Sequence, residues 1–187
     1  RLQELALEMA ELCREHGISI EWVWQSRKSE EVRMADFLSK DYDFSDFYLS
    51  TADFQKLKDD YGPFSCDYFA SDFTHRMRPF MSRYKCEGSA GVDAFTATWR
   101  GNGFFHPPLH MIVETVRYAK VQGARGVLVT PYWQGSAFWA FLDKEEGVVE
   151  RRRFRPLLRA PGFFRNKMFV GTPKFDFVVF TMDFRRR

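Results

Sequence analysis

Gly91–Met111 reads GVDAFTATWRGNGFFHPPLHM, and its reading decides the fold. It holds an acidic residue, a tryptophan, a short apolar run and the pair Pro107–Pro108, followed by a helical pattern in which Ile112, Val116 and Ala119 share one face. A strand stopped by two prolines presents carbonyls that a ladder cannot use, because proline donates nothing and the residue before it avoids the helical region. At the carboxyl end of a strand in an α/β sheet, such carbonyls are suited to gripping a small polar group.

Outward from this stretch, the helix expected over 109–122 is closed by Gly123, and Val127–Thr130, ended by Pro131, reads as a buried strand. Phe138, Phe141 and Leu142 predict a short helix. Runs at 148–154 and 175–182 predict an antiparallel terminal pair of strands. Upstream, Ser50 and Asp53 form an approximate capping box for a helix that turns Phe54, Leu57 and Tyr61 inward and ends at Gly62. A strand is expected over 64–69, and residues 70–90 read as irregular. Strands alternating with helices predict an α/β sandwich.

The first forty residues read as helix, strand and helix. Leu2, Leu5, Met9, Leu12 and Cys13 share a helical face that stops at Gly17. Ile18, Ile20, Trp22 and Trp24 alternate as in a half-buried strand, and Ser29 caps a helix from Glu30 to about Lys40. The acidic, aromatic stretch DYDFSDF (41–47) has no period and marks a boundary, giving domains 1–40 and 41–187. The chain opens without Met inside an amphipathic pattern, so it is expected to be a piece of a longer polypeptide.

Composition bounds the function. With 45% hydrophobic and 18% aromatic residues the chain is not of a disordered class, and no apolar run reaches the roughly 18 residues of a membrane span. Three cysteines outside any CxxC motif are expected as free thiols in a reducing, intracellular compartment, nuclear or cytoplasmic. The net charge of +3 is uneven: residues 1–150 hold 17 Lys/Arg against 23 Asp/Glu, whereas residues 151–187 hold 11 against 2. Arg151, Arg152, Arg153, Arg155, Arg159, Arg165 and Lys167 are therefore candidates for contact with DNA or RNA, the other readings being a solvated basic edge or one that pairs with the acidic body. The five tryptophans are expected mainly in the core, with Trp133 a possible pocket wall. His106 and His110 lack a third ligand, so no metal site is expected.

Two resemblances carry further implications. MADFLSK (34–40), after a strand with Ile and Trp, resembles the ADxLSR-type ending of ribonuclease H domains of reverse-transcribing elements, which implies Asp36 as the last of that family's acidic metal ligands. The acidic residues that would precede it are absent, and metal-assisted hydrolysis needs several carboxylates converging on its ions, so Asp36 stands isolated. Residues 45–184 resemble the phage-type DNA adenine-N6 methyltransferase domain, through FSCDYFASDFTHRMRPFMSR (64–83), GVDAFTATW (91–99), GFFHPPLHMIVETVRYAK (103–120) and GVLVTPYWQGSAFWAFL (126–142). That family orders a DxxA motif, a D-G-L stretch, an NPPY motif opening a helix, and an apolar strand ending in Pro. The succession of the two is similar to the polyprotein of DIRS-type retroelements.

The resemblance implies a Rossmann-like methyltransferase sandwich behind a ribonuclease H-like tail, with S-adenosylmethionine as cofactor. It implies Asp67, Ala70 and Asp93 on the cofactor side and His106, Pro107, Pro108 and Leu109 as the catalytic motif. The upstream reverse transcriptase and ribonuclease H domains of the same polyprotein are the implied partners. This sequence departs from the pattern where the chemistry is done. His106 stands where the family has Asn or Asp, and Leu109 where an aromatic would stack on the flipped base. Ala94 replaces the Gly of D-G-L, and Asp72 or Phe73 the Asn after DxxA. The expectation is a degenerate, non-catalytic methyltransferase-like domain. Its alternatives are an active adenine-N6 methyltransferase using His106, and an interaction module whose old pocket is filled by side chains.

Overall fold

The structure is a computed structural model that describes residues 2–19, 24, 26, 29, 32, 47–159 and 171–185. The chain divides into two compact units, residues 1–41 and 42–187.

In the first unit, the expected helix is α1 (Leu2–Glu15), which ends ahead of Gly17, whose φ of +65° suits a residue without Cβ. The Ser29 hydroxyl accepts the backbone N–H of Val32 at 3.3 Å, the contact expected of an N-cap. Trp24 departs from expectation: it lies outside any strand and is 88% exposed. Ile20 and Trp22 of the expected strand, most of the second helix, and Asp36 lie outside the described residues.

The second unit is built on a seven-stranded, mostly parallel sheet. Its strands are β2 (Cys66–Ala70), β3 (Phe80–Ser82), β4 (Gly91–Val92), β5 (Asn102–Phe105), β6 (Arg125–Pro131), β7 (Val148–Phe154) and β9 (Phe177–Asp183). They run in the order β4-β3-β2-β5-β6-β9-β7. From β4 to β6 neighbours are parallel; β9 is antiparallel to both β6 and β7. A separate ribbon pairs β1 (Tyr48–Leu49) with β8 (Leu158–Arg159).

The period-2 alternation of the strands sorts their side chains between two cores. Phe104, Val127, Val129, Phe177 and Val179 face one side, where α2 (Thr51–Tyr61) lays down Phe54 and Leu57. Cys66, Tyr68, Phe105, Leu128, Val178 and Phe180 face the other. There they meet Ile112, Val116 and Ala119 of α3 (Ile112–Gln122) and Phe138, Trp139 and Leu142 of α4 (Ala137–Leu142). Apolar burial on both faces explains why the central strands read as near-continuous hydrophobic runs.

Helix ends follow local chemistry. Ser50 caps α2 by accepting the Asp53 N–H at 3.1 Å, Ser136 caps α4, and Gly123 closes α3 in the left-handed conformation. A 3-10 turn over Leu109–Met111 precedes α3, so the expected helix starts three residues late. Gly103 and Gly126 lie opposite each other on β5 and β6, and the Phe105 ring folds over both: a Cβ on Gly126 would sit 2.2 Å from the Gly103 carbonyl oxygen and 2.5 Å from that ring. Phe105 in turn stacks on Tyr68 with ring centroids 5.1 Å apart.

Three strand expectations are corrected. The strand expected over 64–69 runs over Cys66–Ala70, and the segment read as irregular contains β3. The second terminal strand starts at Phe177, two residues late, but the antiparallel pairing of β7 with β9 is as expected. Trp99 and Trp139 are buried, as expected of core tryptophans.

Candidate functional site

The order of the parallel strands reverses between β2 and β5, the neighbours from which the sheet is wound in opposite directions. In open α/β sheets the crevice outside the carboxyl ends of such a pair is where ligands bind. Asp67 of β2 and His106, the residue that follows β5, both line this place, 39 residues apart in sequence.

Asp67 lies between Cys66 and Tyr68, whose side chains enter the opposite core, so alternation turns its carboxyl toward the α2 side. It is 2% exposed. One oxygen, Oδ2, accepts the Arg76 N–H at 3.1 Å; Oδ1 is buried without a partner. Burial pushes the carboxyl up to about 7, against the opposing pull of the Arg76 and Phe69 N–H groups and the Arg76 charge.

His106 follows the last residue of β5. Although the residue is only partly covered, its Nε2 is fully buried and unpaired. Its ring is held edge-on by Phe47, at a centroid distance of 5.1 Å, and by Phe177 at 6.3 Å. Burial drives the imidazole down to about 4, so it is neutral at physiological pH.

The ribbon strand β1 and the residue before it fill the crevice. Phe47, Tyr48 and Leu49 line it together with Asp67, Phe69, Thr74, Arg76, Phe104 and His106. Three contacts hold this segment: pairing with β8, the Ser50 N–H donating to the Leu157 carbonyl at 2.8 Å, and the Leu157 N–H donating to Asp53 Oδ2 at 2.8 Å. The remaining void is about 10 Å3, room for about one water molecule. Pockets for cofactor-sized ligands measure roughly 300–1,000 Å3. The residues as arranged leave no room there for S-adenosylmethionine.

The other expected site residues scatter. Pro107 is buried, Leu109 packs at the junction of the two cores, and the Pro108 carbonyl accepts the Met111 N–H at 2.9 Å. That carbonyl closes the 3-10 turn. Ala70 ends β2 opposite Ser82. Asp93 is exposed, has φ +61°, and caps the 3-10 turn Ala94–Thr96 by accepting the Phe95 N–H at 3.0 Å; it does not line the crevice. Trp133 does not line it either.

Several of the basic residues are tied to acids. Arg152 meets Asp60 at 2.6 Å, Arg153 meets Glu150 at 2.8 Å and stacks over Tyr132, and Arg155 meets Asp176 at 2.7 Å. Arg151 donates to the Thr181 hydroxyl at 2.8 Å. Arg159 is exposed, and Arg165 and Lys167 lie outside the described residues. Among the described residues no group of three or more His, Cys, Asp or Glu could hold a metal ion, and no helix is long and apolar enough to cross a membrane. Cys13, Cys66 and Cys86 are free, and burial followed by the neighbouring Asp67 charge pushes the Cys66 thiol up to about 12.

Sequence reasoning missed Phe47, Tyr48, Thr74 and Arg76. The first two sit where the acidic connector passes into the α2 cap, and the last two in the segment read as irregular. No local period marks any of them. No protein-family model and no curated protein matches this chain.

Proposed function

We propose that residues 42–187 are a methyltransferase-like domain of a reverse-transcribing element that has given up methyl transfer. It serves by binding nucleic acid or by supporting the reverse transcriptase and ribonuclease H upstream. The observation that carries this reading is the filled crevice: Phe47, Tyr48 and Leu49 occupy the switch point and leave about 10 Å3. The sheet supports the fold half of the reading, because β4-β3-β2-β5-β6 repeats the 3-2-1-4-5 order of doubly wound nucleotide-binding sheets. The chemistry half rests on the motif. A neutral His106, with Nε2 buried and its ring packed edge-on against Phe47, offers no accessible acceptor to an extruded base, and Leu109 has no π-face to stack on it.

One observation favours the alternative, an active adenine-N6 methyltransferase. Asp67 Oδ1 and His106 Nε2 are both unpaired beside the same void, and leaving buried polar atoms unpaired costs about 1–3 kcal/mol each. Calorimetric titration with S-adenosylmethionine decides between the readings. The proposal expects no heat of binding and no rise in Tm at millimolar cofactor. Micromolar binding that disappears in Asp67→Ala would overturn it in favour of the enzyme.

A further inference from the structure

Three cations of β7 and the turn after it, Arg152, Arg153 and Arg155, are neutralised in place by Asp60, Glu150 and Asp176. Arg76 and Arg159 have no such partner: neither forms an ion pair among the described residues, yet they flank the same tyrosine. The Arg76 guanidinium lies 4.4 Å from the centre of the Tyr48 ring, and Arg159 is the residue registered opposite Tyr48 across the β1–β8 ribbon. Burial lowers the Arg76 pKa, Tyr48 and Asp67 oppose that, and the like charge of Arg159 adds to the lowering, so the two guanidiniums repel each other.

Arg76 is also pre-positioned. Its Nε donates to the Thr74 carbonyl at 3.0 Å, and its Nη1 reaches the Thr51 hydroxyl, at the first residue of α2, at 3.4 Å. The positive end of an 11-residue helix is thus added to two arginines. The acids nearby are Asp53, Asp67 and Asp72. Asp53 is engaged by the Ser50 hydroxyl, the Leu157 N–H and Lys56, and Asp67 is buried behind the Arg76 backbone. Asp72 lies on the turn that carries Phe73. That turn is pinned by hydrogen bonds among Ser71, Thr74 and His75, and it leaves Phe73 54% exposed.

Two guanidiniums outside any described ion pair, beside a helix N-terminus and with an exposed aromatic ring on the adjoining turn, have the makeup of a single-strand-binding surface. Cations meet phosphates and the ring stacks a base. Resting on the nucleic-acid-binding reading above, we infer that the contact surface for single-stranded nucleic acid is the mouth of the closed crevice. Arg76 and Arg159 hold backbone phosphates there and Phe73 stacks a base, while Arg152, Arg153 and Arg155 stay engaged in ion pairs. The same Phe47–Leu49 segment that excludes a small cofactor places Tyr48 between the two phosphate contacts.

The test is fluorescence anisotropy of the 187-residue chain with a labelled oligothymidylate of about 12 nucleotides, within the usual site size of such surfaces. Arg159→Gln and Phe73→Ala change exposed side chains, and the double variant Arg76→Gln/Arg159→Gln removes both cations. Circular dichroism melting checks that each variant folds. The expected result is at least a tenfold weakening in the double variant, with a salt slope shallower by about 1.4, the value for two phosphate contacts on a single strand. Phe73→Ala is expected to lose about fivefold or more, and Arg152→Gln/Arg155→Gln less than threefold. If wild-type chain binds but Arg159→Gln and Phe73→Ala bind as tightly while Arg152→Gln/Arg155→Gln does not, this surface is wrong and the nucleic-acid reading stands. If wild-type chain does not bind at low salt, the nucleic-acid reading fails and this surface with it.

Discussion

Phe47 presses its ring against the imidazole of His106 at a centroid distance of 5.1 Å and an interplanar angle of 71°. The contact joins the start of the second unit to the carboxyl end of β5, and it turns an open switch point into a filled one. Phe47 also meets Phe177 at 5.7 Å, so one side chain fastens the capping segment to two strands.

Truncating that side chain is expected to be costly. Phe47 is 7% exposed, and Phe→Ala in such a site costs roughly 3–5 kcal/mol through lost transfer energy and the cavity left behind. Urea denaturation of Phe47→Ala should show a lowered midpoint with unchanged m. A loss below about 1 kcal/mol would mean that the segment does not close the crevice in solution.

The buried acid and imidazole predict opposing pH dependences. Asp67 has a raised folded pKa, so its contribution is present below the unfolded value near 3.8 and is lost as pH rises through about 7. His106 has a depressed one, so its contribution is present above 6.5 and is lost as pH falls through about 4. Over pH 4 to 6.5 the two slopes oppose and wild-type stability should be nearly flat with respect to this pair. Asp67→Asn removes one of them: stability should then rise with pH over that window, and the variant should gain on wild type as pH increases toward 8. Denaturation curves at pH 5, 6, 7 and 8 check this, and parallel pH profiles for the two proteins would refute it.

Gly126→Ala tests the close approach of β5 and β6. The added methyl meets the Gly103 carbonyl oxygen at 2.2 Å, a backbone atom that cannot rotate away, so the strands must separate or Phe105 must leave Tyr68. A loss of about 2 kcal/mol or more is expected, in the range of overpacked cores. A midpoint within error of wild type would show that the pair relaxes freely.

Ser50 and Asp53 are expected to act as a unit. Ser50→Ala removes an N-cap worth about 1 kcal/mol, and Asp53→Ala frees both the Ser50 hydroxyl and the Leu157 N–H that ties the ribbon to α2. Asp53→Ala should therefore cost more than Ser50→Ala, and the double variant less than their sum, as for residues sharing one network. Strict additivity would show that the two contacts are independent.

Much of the fold was legible without coordinates. The Ser50 cap, the inward faces of α2 and α3, the Gly123 stop, the short α4 and the antiparallel terminal strands all follow from residues within one or two turns of each other. β3 and β4 were not legible. They are three and two residues long, and their existence depends on parallel ladders to partners ten or more residues away, such as Asp67 with Phe80. The site was legible in part: Asp67 and His106 were singled out and do line one crevice, whereas Asp93 is spent on a local turn.

The amino-acid order by itself determined the alternation, the caps and the glycine stops, because these are satisfied by neighbours a few residues apart. Only the tertiary structure decided what fills the switch point and which cations are spent. Phe47 reaches His106 across 59 positions and Arg152 reaches Asp60 across 92, and contacts of that span are set by how the sheet is wound. Burial then makes His106 neutral and raises the Asp67 pKa, and neither effect can be read from the residue types alone.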